Sequence, residues 1–125
     1  MLALTIRQPW AHAILHAGKH VENRSWRPTL APPFRMAIHA GRGYDANAYP
    51  GCPGRDALDL GAIVGEVDVV GFHHADQCRT SGPLGESLCS PWAMPDQWHW
   101  WLGDRVTYAE PIPAVGRLGL WEWQR

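Results

Sequence analysis

Arg7-Gln8-Pro9-Trp10, followed by Gly18-Lys19-His20-Val21-Glu22-Asn23-Arg24-Ser25-Trp26, is the stretch whose reading decides the fold. Proline at position 9 suits the first turn of a helix, where its missing N–H costs nothing. Gly18 suits a helix end, because it takes positive φ without a Cβ clash. One short amphipathic helix is therefore expected over residues 9–17. Trp10, Ile14 and Ala17 recur there at helical spacing, and Ala11 and Leu15 widen the apolar face. Gln8 and Trp10 then sit at the mouth of the helix, and the chain turns back through Lys19, Glu22 and Arg24 along an extended segment. Cations, a carboxylate and an amide beside indole faces suit a flat, polar ligand such as a nucleobase.

Working outward, residues 3–6 read as a first strand. Pro28, Pro32 and Pro33 forbid regular pairing and mark a loop. Phe34 to Ala40 reads as a strand. Residues 41–60 read as a long connection rich in Gly, Pro, Asp and Asn, with helical turns near 44–48 and 55–60. Ala62 to Phe72 is the strongest strand signal, placing Glu66 and Asp68 on one face and Val67 and Val69 on the other. Residues 74–91 read as irregular. Trp98 to Leu102 reads as a strand ending near Gly103-Asp104, Tyr108 to Pro113 as a segment broken by prolines, and Leu118 to Trp123 as the closing strand. The expected fold class is α+β: a small mixed β-barrel of about five or six strands, with a helix after the first strand and long loops.

At 125 residues the chain is expected to form a single domain over 1–125. No apolar run approaches the roughly 20 residues needed to cross a bilayer, and no secretory signal is visible, so a cytoplasmic protein with no membrane association is expected. The net charge of −1 hides an asymmetry. Residues 1–44 carry Arg7, Lys19, Arg24, Arg27, Arg35 and Arg42 against Glu22 alone, whereas residues 45–125 carry five basic and eleven acidic groups. A surface for long nucleic acid is usually basic throughout. This distribution fits a local pocket for single-stranded RNA or a modified nucleoside, and no extended duplex DNA binding is expected. Arg35 and Arg42 either belong to that pocket or are solvated or paired locally.

The N-terminal pattern resembles the ASCH domain, a branch of the PUA-like superfamily. The family's signature is an apolar strand, an R-Q-P-[WY] turn, a helix, and G-x-K-x-x-E-x-R-x-W. It reads here as Leu4-Thr5-Ile6-Arg7-Gln8-Pro9-Trp10 and Gly18 to Trp26. Ile38-His39-Ala40, Gly65-Glu66-Val67 and Gly119-Leu120-Trp121 match more weakly downstream. The resemblance implies a PUA-like fold and a cleft formed by the RQPW turn and the GKxxExRxW segment, binding RNA or a modified nucleobase. It also implies a hydrolase alternative: some members resemble amidohydrolases acting on N4-acetylcytidine, and others are linked to RNA cleavage. The deacetylase subgroup uses a threonine three residues after the motif lysine, where this chain has Glu22. A carboxylate cannot replace a hydroxyl nucleophile directly. It can activate water as general base while Lys19 or Arg24 stabilises an oxyanion.

The ligand-binding candidates are Gln8, Pro9, Trp10, Lys19, Glu22, Arg24, Trp26, Ser90 and Trp92; Lys19, Glu22 and Arg24 are the catalytic candidates if the protein is an enzyme. Lys19 is a compact point charge and Arg24 a flat fork. Glu22 accepts from an exocyclic amine, and Gln8 both donates and accepts. Trp10, Trp26 or Trp92 offers a stacking face worth about 1–3 kcal/mol per base. Against this stands a scaffold reading, in which Lys19, Glu22 and Arg24 form an ion-pair ladder, although exposed pairs give only about 0–1 kcal/mol. Of the eight tryptophans, Trp98, Trp100, Trp121 and Trp123 alternate on strands and are expected in the core, whereas Trp92 in Ser90-Pro91-Trp92 sits where an aromatic can close over a ligand. A partner-binding role for the tryptophans is a third reading. Cys78 and Cys89 flank a Gly/Ser-rich loop preceded by His73 and His74, a possible zinc set without C-x-x-C spacing. Free thiols, with no metal and no cofactor, are the expectation. His12 and His16, four apart on the helix, are expected to face solvent.

Overall fold

The computed structural model describes residues 1–78 and 88–125; the part of the expected irregular stretch at 79–87, including most of the Gly/Ser-rich loop, lies outside the described residues. Among the described residues, strands β1 (Leu2–Gln8), β2 (Val21–Arg24), β3 (Phe34–Tyr44), β4 (Ala62–His74), β5 (Trp98–Pro113) and β6 (Leu120–Glu122) accompany one α-helix, α1 (Trp10–His16). Single 3-10 turns lie at Arg55–Ala57 and Ala75–Gln77. The hydrogen-bonded strand order is β2-β5-β4-β3-β1-β6. This is the expected mixed sheet with a helix after its first strand, but it is open: no described pairing joins β2 to β6, so "barrel" holds only loosely.

The chain divides into two compact units. The first comprises 1–19, 35–67 and 104–125, and the second 20–34 and 68–103. In the first, β1 runs parallel to β3, with Ala3 opposite Ala37 and Ile6 opposite Ala40, and antiparallel to β6. Ala3, Ala37, Ile63, Trp121 and Trp123 form its apolar cluster, against which Tyr108 and Ile112 pack. The β1–β3 register slips between Ile6 and Gln8. Arg7 lies against Gly43 at this point: a Cβ there would lie 2.3 Å from the Arg7 guanidinium, which would have to shift. In the second unit, β2 runs antiparallel to β5, pairing Val21 with Trp101, Glu22 with Trp100, Asn23 with His99 and Arg24 with Trp98. Val21, Trp100 and Val69 are fully buried there.

Helix α1 ends as its sequence dictates. Gly18 takes φ +76, and the Lys19 amide returns to the Ala13 carbonyl at 3.1 Å. Pro9 occupies the cap position rather than the first turn, and its carbonyl accepts from Ala13 at 2.9 Å. Two expectations are corrected. β3 continues to Tyr44, so no helical turn forms at 44–48. β5 does not end at Gly103-Asp104 but runs on through Pro111 and Pro113. Its pairing with β2 stops at Trp101, so two prolines two residues apart place their missing N–H groups along one edge, where a strand tolerates them. Ser25 lies in a bend just past the end of β2.

Candidate functional site

In the first unit, the helix mouth is built around Trp10. Its indole N–H donates to Asp45 Oδ2 at 2.8 Å, and its ring lies 5.9 Å from that of Tyr49. Arg7 donates to the other Asp45 oxygen at 3.0 Å and to the Tyr44 carbonyl. The Arg7 hydrogen bond first, and the Trp10 bond second, hold the Asp45 carboxyl below its ordinary range. The Lys19 ammonium sits over the Trp10 ring, 5.8 Å from its centroid, and Lys19 is only 3% exposed. Such a placement gains electrostatically from the ring's negative face. Arg105 fixes the turn that delivers it, donating to the carbonyls of Ile14 at 2.5 Å and Lys19 at 3.0 Å.

Gln8 has a structural role. Its amide donates to the Asp59 carbonyl at 3.0 Å and accepts from the His12 amide at 3.0 Å, so it locks the start of α1. His16 is exposed as expected, whereas His12 is half-buried. Burial, then the neighbouring His16, pushes the His12 pKa down. Arg35 pairs with Glu66 at 2.8 Å, and Tyr108 donates to the same carboxylate. Arg35 is therefore a local ion-pair partner. Arg42 lines a separate cavity of about 360 Å³ with Thr5, His39 and Arg117. His39 Nε2–H donates to the Ala114 carbonyl, 2.7 Å away.

The second unit holds the remaining candidates. Alternation along β2 puts Glu22 and Arg24 on one face, and Arg24 Nε donates to Glu22 Oε2 at 2.9 Å. Glu22 is buried and Arg24 half-buried, so this pair is partly shielded from solvent. Trp26 packs edge-on against Trp100 with centroids 5.0 Å apart, and its carbonyl accepts from the Trp100 indole. The Ser90 hydroxyl is paired with His20 Nε2 at 2.9 Å and accepts from the Trp92 amide at 3.1 Å. Asn23, which the sequence reading passed over, clamps this loop. Its Nδ2 donates to the Trp92 carbonyl, and its Oδ1 accepts from the Met94 amide, both at 2.9 Å.

Beside that loop, four donor atoms converge: His73 Nε2, Cys78 Sγ, Cys89 Sγ and His99 Nδ1 all lie within 4.8 Å of one another. His99 takes the place that the sequence reading gave to His74; the latter instead caps the 3-10 turn, its ring accepting from the Asp76 amide. Burial, then the neighbouring Cys78, pushes the Cys89 thiol up to about 11.

Comparison with known proteins places this architecture. The sequence model of the ASCH domain matches residues 4–112. The chain is similar to the crystal structure of ASCH from Zymomonas mobilis, at 18% identity and a TM-score of 0.56, over 90% of this chain and 72% of that one. That likeness supports the PUA-like fold. No curated protein matches the chain.

Proposed function

Because the chain belongs to the ASCH domain family, we propose that it binds single-stranded RNA or a modified nucleobase through the RQPW turn and the GKxxExRxW segment. The observation that carries this reading is the Trp10 group: an indole fixed by Asp45 and Tyr49, with a buried ammonium over its face. A rigid aromatic face beside a cation is what an unstacked base and its adjoining phosphate or carbonyl require. Glu22 and Arg24 supply a paired acceptor and fork of the kind that reads a base edge. Pro9 and Gln8 set the turn, and Trp26, Ser90 and Trp92 complete the second set. Near-neutral overall charge favours a nucleoside-sized target over long RNA. The protein acts in the cytoplasm in this reading.

The competing reading is hydrolysis, of an N-acylated cytidine or of RNA, with Glu22 activating water as general base and Lys19 or Arg24 stabilising the oxyanion. Mass spectrometry of the protein incubated with N4-acetylcytidine, related acylated nucleosides and a short single-stranded RNA separates the two. Saturable binding without turnover, weakened by Lys19→Ala, is expected. Turnover abolished by Glu22→Gln makes the protein a hydrolase and overturns the binding-only reading. Because the two residue sets belong to separate units, Lys19→Ala and Arg24→Ala are measured independently.

A further inference from the structure

The histidine–cysteine cluster is not accounted for by nucleobase binding. Four of its donor–donor separations are 3.2 Å (His73 Nε2 to Cys78 Sγ), 3.3 Å (Cys78 Sγ to His99 Nδ1), 3.4 Å (Cys89 Sγ to His99 Nδ1) and 3.3 Å (His99 Nδ1 to His73 Nε2). A tetrahedral zinc ion with ordinary Zn–S and Zn–N bonds has donor–donor edges of about 3.3–3.8 Å. The four separations of 3.2–3.4 Å lie at or just below the short end of that range, and none of the remaining pairs exceeds 4.8 Å. Two imidazoles and two thiols facing one another satisfy few of each other's lone pairs, whereas a single cation at their centre satisfies all four.

We propose that His73, Cys78, Cys89 and His99 bind one Zn²⁺ in a closed, four-coordinate structural site. The donor set is two soft sulfurs and two imidazoles, the Cys₂His₂ combination typical of structural zinc, and it leaves no position open for a substrate. On binding, Cys78 and Cys89 each lose a thiol proton to solvent, and two thiolates neutralise the dication. His99 is already oriented for the task. It is fully buried, and its Nε2–H donates to the Met94 carbonyl at 2.6 Å, which leaves the Nδ1 lone pair facing the cluster. His73 must carry its proton on Nδ1 when Nε2 is a ligand. The Trp101 indole, which can only donate, now lies 3.4 Å from that Nδ1, so loading breaks this contact.

The placement explains what the ion would do. His73 lies on β4 and His99 on β5, while the two cysteines lie on the connection between these strands. One ion therefore ties both arms of that connection to the sheet. Met94, which receives His99, is also the residue whose amide Asn23 holds, so the ion, the Ser90–Met94 loop and β2 form one linked assembly.

The test uses the full chain. Zinc content of protein purified without chelator is measured first, and one ion per chain is expected. Reduced, chelator-stripped protein is then titrated with Co²⁺, which reports tetrahedral thiolate coordination by visible d–d bands and a near-ultraviolet sulfur-to-cobalt charge-transfer band. Saturation at one equivalent, with proton release, supports the site. Cys89→Ser and His99→Ala are expected to weaken uptake by at least about 100-fold, beyond the range of outer-shell changes. Cys52→Ser and His74→Ala should leave it unchanged. The wild-type spectrum does not depend on any variant folding. Absence of a charge-transfer band in reduced wild-type protein overturns the proposal, as does its persistence in Cys89→Ser. Isolation of Cys78 and Cys89 as a disulfide whose reduced form takes up no cobalt would also overturn it.

Discussion

Asn23 lies directly opposite His99 in the antiparallel ladder of β2 and β5. Its side chain also grips the backbone of Trp92 and Met94, and Met94 in turn accepts the His99 Nε2–H. A residue of the N-terminal motif and a residue of the aromatic strand thus share one loop. The segment carrying Ser90 and Trp92 is held to β2 through this pair, next to Glu22 and Arg24 on the same short strand.

Replacing Asn23 by Ala removes both clamps and leaves the Trp92 carbonyl and the Met94 amide without those partners. A typical net hydrogen bond contributes about 0.5–1.5 kcal/mol, so a loss of about 1–3 kcal/mol is expected. Hydrogen exchange localises it: the Met94 amide should exchange faster in the variant, while amides of the β1–β3 ladder keep their protection.

Asp45 is the acceptor that fixes Trp10. Asp45→Ala should free the indole and the Arg7 guanidinium together, at a cost of about 1 kcal/mol because the ion pair is exposed. Ligand affinity should fall more than stability does. Calorimetric titration against the Tm shift compares the two. Equal affinity in the variant would show that Trp10 need not be held.

The Arg35–Glu66–Tyr108 cluster predicts stability losses at both ends of the pH range. The Tyr108 and Arg35 hydrogen bonds lower the Glu66 pKa below 4.5, so its contribution is present above that pH and is lost as pH falls through the lower folded value. Burial, then Glu66, pushes Tyr108 up to about 12, so its contribution is present below pH 10 and lost as pH rises toward 12. Denaturant midpoints across pH check this: Glu66→Gln should flatten the acid limb and Tyr108→Phe the alkaline limb.

Binding of a nucleoside-sized target engages few phosphates. The slope of log affinity against log salt for short single-stranded RNA should correspond to about one or two contacts, at roughly −0.7 per contact. A slope several times steeper would mean an extended electrostatic surface.

Local signals carried the fold well. Pro9, Gly18 and the apolar spacing between them located α1 within a residue or two, and the β-branched run at Ala62 located β4. β5 was misread because Gly103 and the two prolines are strand breakers in isolation; a neighbouring strand on one side and an unpaired edge on the other accommodate them. The motif residues were legible, but their supports were not. Asp45 lies beyond the motif, just past the end of β3, and Asn23 falls on an unspecified position of the motif between Glu22 and Arg24. His99 is flanked by Trp98 and Trp100, where core packing is the stronger expectation, and only strand pairing brings it to His73, Cys78 and Cys89. Charge alone could not separate Arg35, which pairs with Glu66, from the site cations.

The most direct measurement is an NMR titration of the protein with N4-acetylcytidine and with a short single-stranded RNA, following the assigned indole N–H resonances. Trp10 should show a saturable shift with at least one of these ligands, and Lys19→Ala should weaken that shift while the remaining indole resonances keep their folded dispersion. Saturable binding that leaves the Trp10 indole unmoved, or no binding of either ligand by the folded protein, would contradict the account.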